Sequence, residues 1–193
     1  MAEVSRECQV GRKTAEGYLE ILEDLLLSFR IPVFTRRAQR NLVAHDKFFF
    51  FDAGVYRSIR PTGPLDRPEE IEGMVLEGLI AQHLRAWAGY RSVPVELFYW
   101  RTKSGSEVDF VLYGADVFVA IEVKRSRNIH HTDLRALKAF KADYPQASVC
   151  LLYMGVEELK IGDVLCLPCD TFLKTLHPEK MPLMTFRLPD PHP

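Results

Sequence analysis

A chain of 193 residues, 47% of them hydrophobic, is long enough for one domain, or one with a small appendage, and apolar enough for a sizeable core. Its formal net charge of −1 excludes a globally basic nucleic-acid binder, so any basic surface has to be local. No apolar run approaches the roughly 20 residues that cross a bilayer, and the opening MAEVSRECQVGRK lacks the apolar centre of a secretion signal. The expectation is a cytoplasmic protein with reduced thiols and no membrane contact. Of the four cysteines, Cys166 and Cys169 form Cys-Leu-Pro-Cys. With no second such pair and no His-x-x-x-His, this reads as buried small side chains rather than half of a zinc site.

In chain order, the first element is a helix over 13–29. Tyr18, Leu22, Leu25 and Leu26 recur there at helical spacing, with Glu16, Glu20, Glu23 and Asp24 mostly on the other side. Two strand-like runs follow, 29–35 and 47–51, around a connector in which Arg30, Arg36, Arg37, Arg40 and Lys47 face one acid, Asp46. A helix followed by a basic hairpin is the back half of a winged helix, with Arg36, Arg37 and Arg40 as candidate nucleic-acid contacts. A solvated basic loop has the same composition. Asp52 reads as the N-cap of a short helix up to Ile59, and Pro61, Gly63, Pro64 and Pro68 mark a linker.

A longer helix runs from Pro68 or Glu69 to about Ala88 on an apolar stripe of Ile71, Val75, Leu79 and Leu84, with Glu77 on its flank. Strands are expected at 95–101, 107–113 and 117–124. A helix capped by Thr132 or Asp133 reaches Tyr144, and the wholly apolar run 148–153 reads as a central strand covered on both faces. The intervening helix makes the strands on either side of it parallel. A short strand near 164–167, a small helix near 171–176 and a Pro-rich tail complete the chain. The organisation expected is a partial winged-helix-like segment over 1–60, an α/β domain over 61–180 and a tail over 181–193.

The segment from Ser106 to Ser126 is among the most apolar in the chain, yet it carries Glu107 and Asp109 near one end and Glu122 and Lys124 near the other. Charges in an apolar strand are costly unless paired, hydrated or metal-bound. Alternation puts Glu107, Asp109 and Val111 on one face of the first strand, against Val108, Phe110 and Leu112, and puts Glu122 with Lys124 on the second. A hairpin connection of two or four residues brings Asp109 and Glu122 to one side, and one of three residues separates them. Two carboxylates and a nearby carbonyl suit Mg²⁺ or Mn²⁺. A bound ion polarises a phosphate oxygen and acidifies a water, while an adjacent Lys positions that water. A surface ion pair also collects such residues.

Asp109, followed one strand later by Glu122-Val-Lys124, resembles the PD-(D/E)XK nuclease superfamily, although Val108 stands where that pattern has Pro. Glu77 resembles the acid contributed by the superfamily's first core helix. FFFFDAGVYRSI, VLEGLIAQHL, FYWRTKSGSEVDFVL, IEVKRS and LRALKAFKADYP together resemble the C-terminal module of bacterial and archaeal AAA-type ATPases, over most of the chain.

The resemblance implies a restriction-endonuclease-like mixed sheet flanked by helices, preceded by a partial winged helix. It implies catalysis by Lys124, Asp109 and Glu122, metal binding by Asp109 and Glu122 with Glu77 and Glu107, and phosphate contacts from Lys103 and Arg125. The partners it implies are DNA and an AAA-type ATPase domain in cis or trans. No ATP site is expected within the chain, since Gly11-Arg-Lys-Thr14 lacks the upstream glycine and strand of a P-loop. The chain reads as starting inside the winged helix, as a fragment or a truncated product. The alternatives to a nuclease are a catalytically silent recognition module beside the ATPase, and a winged-helix DNA binder.

Overall fold

The computed structural model describes residues 2–43, 45–60, 63, 67–180 and 183. Most of the linker expected at 61–68 and nearly all of the tail over 181–193 lie outside the described residues. The N-terminal part contains helices α1 (Ala2–Glu7) and α2 (Arg12–Asp24) and the antiparallel strands β1 (Ser28–Ile31) and β2 (Lys47–Phe50). The helix expected over 13–29 ends earlier. Leu26 turns left-handed at φ 57°, and the chain enters β1 with Phe29 and Ile31 buried. Helix α3 (Ala53–Ile59) starts where the Asp52 side chain accepts a hydrogen bond from Val55 N at 2.9 Å.

Helix α4 (Pro68–Gly89) leads into the main sheet, formed by β3 (Val95–Arg101), β4 (Glu107–Gly114), β5 (Phe118–Lys124), β6 (Ser148–Tyr153), β7 (Leu159–Ile161) and β8 (Val164–Pro168). The strand order is β3-β4-β5-β6-β8-β7. β3, β4 and β5 are antiparallel, β6 lies parallel to both β5 and β8, and β7 folds back antiparallel onto β8. A 3-10 turn (His131–Leu134) and α5 (Arg135–Asp143) carry the chain from β5 to β6, and α6 (Cys169–Thr175) follows β8. This is a mixed α/β architecture with the parallel crossover that the apolar run at 148–153 requires.

The sheet has a helical layer on each face. On one, Ile80, Ala81, Leu84 and Trp87 of α4 cluster with Phe110, Leu112, Ile121, Val123 and Leu152, joined by Phe29 and Phe49 of the hairpin and Phe172 of α6. On the other, Leu137 and Phe140 of α5 cluster with Trp100, Val108, Val111, Ala120, Val149 and Leu151. Cys150, Cys166 and Cys169 are buried thiols, and burial pushes Cys166 up to about 11 and Cys169 up to about 12.

The basic connector between β1 and β2 runs along the edge of β3. Phe34 N donates to Tyr99 O (2.7 Å), Tyr99 N to Pro32 O (3.0 Å), Val43 N to Arg101 O (3.1 Å) and Lys103 N to Asn41 O (2.8 Å). It thereby covers an edge that would otherwise expose unpaired backbone groups. Phe34 is buried beneath it, with Phe98, Tyr113, Phe118 and Tyr144 ring centres 5.3–5.5 Å away. Along this strapped edge the N-terminal hairpin reaches the rim of the sheet where the charges lie.

Candidate functional site

Strand β4 pairs with β5 from Tyr113↔Phe118 to Phe110↔Ile121. The connection therefore holds four residues, Gly114 to Val117, and is closed by a 2.8 Å bond from Gly114 N to Val117 O. The ladder ends at Phe110↔Ile121, one residue short of Asp109 on β4 and of Glu122 on β5. The face alternation expected for β4 does not hold through that point. Val108 packs with Val111 in the α5 layer, while Phe110 packs in the α4 layer. Between the pairs Phe98↔Val111 and Trp100↔Val108, Asp109 and Phe110 of β4 stand against the single residue Tyr99 of β3, so β4 carries a bulge there and its alternation breaks.

Asp109 sits at this break, just beyond the last paired residues. Its Oδ2 accepts a hydrogen bond from Val123 N at 2.9 Å, which is the bond a regular ladder would have taken with backbone. The side chain thus reaches across to β5, between Glu122 and Lys124 in sequence. Glu122 belongs by alternation to the Ala120 side of β5, and its carboxylate is 6% exposed as a residue. Glu122 Oε1 lies 2.6 Å from Lys124 Nζ, whereas Oε2 is buried with no hydrogen-bond partner among the described residues. Burial, then the negative charge of Asp109, push the Glu122 carboxyl up to about 8 against the pull of Lys124. Burial alone would lower the Lys124 ammonium, but Glu122 and Asp109 raise it overall.

On the other side of Asp109 stands a residue the sequence reading did not assign to the site. Lys47, the first residue of β2, places Nζ 2.5 Å from Glu77 Oε1, 2.7 Å from Glu107 Oε1 and 3.4 Å from Asp109 Oδ1. The Glu77 contact is an ion pair lacking hydrogen-bond alignment. Burial opposes the Lys47 charge, yet Asp109, Glu77 and Glu107 together raise its pKa well above normal. Burial and then Asp109 push Glu77 up to about 7, with Lys47 opposing. Glu107 also meets Arg101 Nη1 at 3.3 Å. The only sequence sign of Lys47's role is a single cation at the head of the aromatic run KFFFF.

A family model described as a domain of unknown function, DUF4143, matches residues 72–172. The chain belongs to that family. The DUF4143 match holds Glu77, Glu107, Asp109, Glu122 and Lys124, whereas Lys47 falls within residues 1–66, which resemble a second domain of unknown function, DUF8612. An uncharacterized protein of Mycobacterium bovis and another of Mycobacterium tuberculosis are each 25% identical to the chain over 178 residues, 90% of this chain. The chain spans 39% of the length of each of these relatives. No solved structure matches it.

The basic residues around the DUF4143 sheet fall into two groups. Arg36 pairs with Glu96 Oε2 at 2.5 Å and stacks over Tyr113, 4.7 Å from its ring centre. Arg40 Nε pairs with Asp143 Oδ2 at 2.7 Å. Both are on the strapped connector, with neither standing free as a wing would present it. Arg37, exposed at φ 53°, lies between them. Lys103, in the β3–β4 turn, and Arg125, directly after Lys124, are exposed at the charged rim, as is Arg127, which the sequence reading passed over. Lys103, Arg125 and Arg127 form no ion pair with a described residue. Among the described residues no three His, Cys, Asp or Glu side chains gather closely enough to hold a metal ion by themselves, and no helix is long and apolar enough to cross a membrane.

Proposed function

We propose that the chain is a nuclease-like module of the PD-(D/E)XK type, acting on DNA phosphodiesters with Mg²⁺ or Mn²⁺ beside an AAA-type ATPase domain in cis or trans. The observation that carries this reading is Asp109 reaching across the split between β4 and β5 to Val123 N, next to the buried Glu122. One buried Glu122 oxygen there has no partner. A bare buried carboxylate oxygen is costly. Two carboxylates suffice for a hard ion such as Mg²⁺, which usually keeps several waters and takes one or two protein carboxylates. The donor set at Asp109 and Glu122 fits such an ion.

Bound there, the ion supplies Lewis-acid polarisation of a phosphate oxygen and a more acidic water. Asp109 and Glu122 hold it. Lys124, kept protonated by Glu122 and Asp109, orients the attacking water and offsets charge building on the phosphate. Lys103 and Arg125 at the rim meet the flanking phosphates.

The test offers single-stranded, duplex and branched DNA, and RNA, to the chain alone and joined to an intact ATPase domain, with Mg²⁺ or Mn²⁺. Cleavage is expected, lost in Asp109→Ala together with metal binding, and lost in Lys124→Ala with metal binding kept. An assembly that binds DNA and hydrolyses ATP yet never cuts, and that Asp109→Ala leaves unchanged, sinks the hydrolytic reading. A catalytically silent recognition module would then remain. One observation favours that second reading: Glu77, Glu107 and Asp109 already share the Lys47 ammonium.

A further inference from the structure

Lys47 stands among Glu77, Glu107 and Asp109, three of the four acids that the resemblance implies for metal binding. We propose that its ammonium is the fixed cation of the site, so that the cluster takes one divalent ion, at Asp109 and Glu122, while Glu77 and Glu107 serve Lys47. The inference rests on the metal-dependent reading and narrows it.

First, Lys47 Nζ has three carboxylates around it, at 2.5, 2.7 and 3.4 Å, and donates hydrogen bonds to two of them, Glu107 and Asp109. An ion bonded near 2.1 Å to the same Glu77 and Glu107 oxygens would collide with or strongly repel Nζ. Second, Lys47 is held in place. It begins β2 in register with Ile31, and its ammonium lies 5.8 and 5.9 Å from the ring centres of Phe49 and Tyr99. Tyr99 in turn donates from its hydroxyl to His45 O at 2.5 Å. Third, the unmet demand lies elsewhere. Glu107 already has two cations, Lys47 and Arg101, whereas the buried Glu122 Oε2 has none. Four carboxylates, Glu77, Glu107, Asp109 and Glu122, face three cationic groups, Lys47, Lys124 and Arg101, and the shortfall sits on the Glu122 side. The hairpin strand, from the stretch that resembles one family, thus supplies a cation to acids from the other.

The experiment is a Mn²⁺ titration of the full chain and its variants, followed by calorimetry and by the electron paramagnetic resonance of free Mn²⁺, with circular dichroism to establish folding. The wild type is expected to bind one Mn²⁺. Glu122→Gln should lose more than about 100-fold in affinity, beyond what the loss of an outer-sphere partner costs. Glu107→Gln, which leaves Lys47 two carboxylates, should change affinity by less than about threefold, the scale of a partly exposed ion pair. Lys47→Met should open the second place and bind two ions. Two ions in the wild type, a loss in Glu107→Gln as large as in Glu122→Gln, or a folded Lys47→Met that binds only one, overturns the fixed cation and leaves the metal reading standing. A wild type that binds no Mn²⁺ overturns both.

Discussion

The β4–β5 hairpin has two ends built on different physics. At the turn, Tyr113 and Phe118 pair in register and close around Phe34, with Phe140 and Tyr144 completing an aromatic cluster. At the open end the ladder stops after Phe110 and Ile121, and Asp109, Glu122, Glu77, Glu107, Lys47 and Lys124 crowd together. The first end stabilises through apolar burial. The second sets desolvation against Coulomb attraction, a balance that rarely yields much net stability. One hairpin therefore carries an anchor at one end and a site at the other, and the two respond to different perturbations.

The sharpest way to break the contrast is at the anchor. Phe34→Ala removes a ring with 1% exposure from five aromatic neighbours, and is expected to cost about 3–5 kcal/mol in denaturant unfolding, the range for buried Phe truncations. A loss under about 1 kcal/mol would show that the strap over β3 contributes little. At the other end, Lys47→Met leaves three carboxylates facing each other. Breaking a buried pair costs about 3–5 kcal/mol, and since Lys47 is 22% exposed, about 2–3 kcal/mol is expected in metal-free protein at pH 8.

The charged end also has a pH signature that the aromatic end lacks. In the folded, metal-free chain Glu77 titrates at about 7 and Glu122 at about 8, above their unfolded values. Between the unfolded value near 4.3 and these folded values, the folded state binds more protons than the unfolded one. Stability is therefore highest below that range, falls as pH rises through it, and levels off above about 8. The slope is at most about 1.4 kcal/mol per pH unit for each proton. Unfolding midpoints measured from pH 5 to 9 should fall in the wild type and fall less in Glu122→Gln. Equal slopes would mean that Glu122 is not held in its protonated form.

Much of the architecture is legible in the sequence because it is local. The β-forming run at 95–101, the alternating run at 107–113, the wholly apolar run at 148–153, the stripe on α4 and the cap at Asp52 each declare themselves within a few residues. What escapes is what depends on two distant segments. Lys47 lies 60 residues before Glu107 in the chain and acquires its role only because the connector is strapped along β3. The break of alternation at Asp109 is a bulge in β4, two residues set against Tyr99 of β3, and no spacing within 107–113 announces it. The three-residue strand β7 and the short α1 are too brief to carry a periodic signal. Of the residues singled out from sequence, Glu77, Glu107 and Asp109 gather on Lys47, Glu122 pairs with Lys124, and Asp109 joins the two groups.

The smallest expected effects concern the arginines near the anchor, and they separate two routes for a nucleic acid. Arg36 and Arg40 already have acidic partners, Glu96 and Asp143, and Arg36 also lies over Tyr113. To take a phosphate, Arg36 must give up an exposed pair worth about 0–1 kcal/mol and Arg40 must leave the buried Asp143 carboxylate unpaired, so each gains little by the exchange. Lys103 and Arg125 are exposed at the charged end with no such commitment. If the strand being bound passes the open end of the hairpin, Lys103→Ala and Arg125→Ala should each weaken duplex binding and reduce the slope of log affinity against log salt by about 1. Arg36→Ala and Arg40→Ala should leave that slope within about 0.3 of the wild type, and Arg36→Ala should leave stability within about 1 kcal/mol. The opposite pattern, a reduced slope only in Arg36→Ala and Arg40→Ala, would move the nucleic acid to the connector and away from Asp109 and Glu122. Binding would then belong to the winged-helix-like segment, and the charged end would have to be explained without a phosphate.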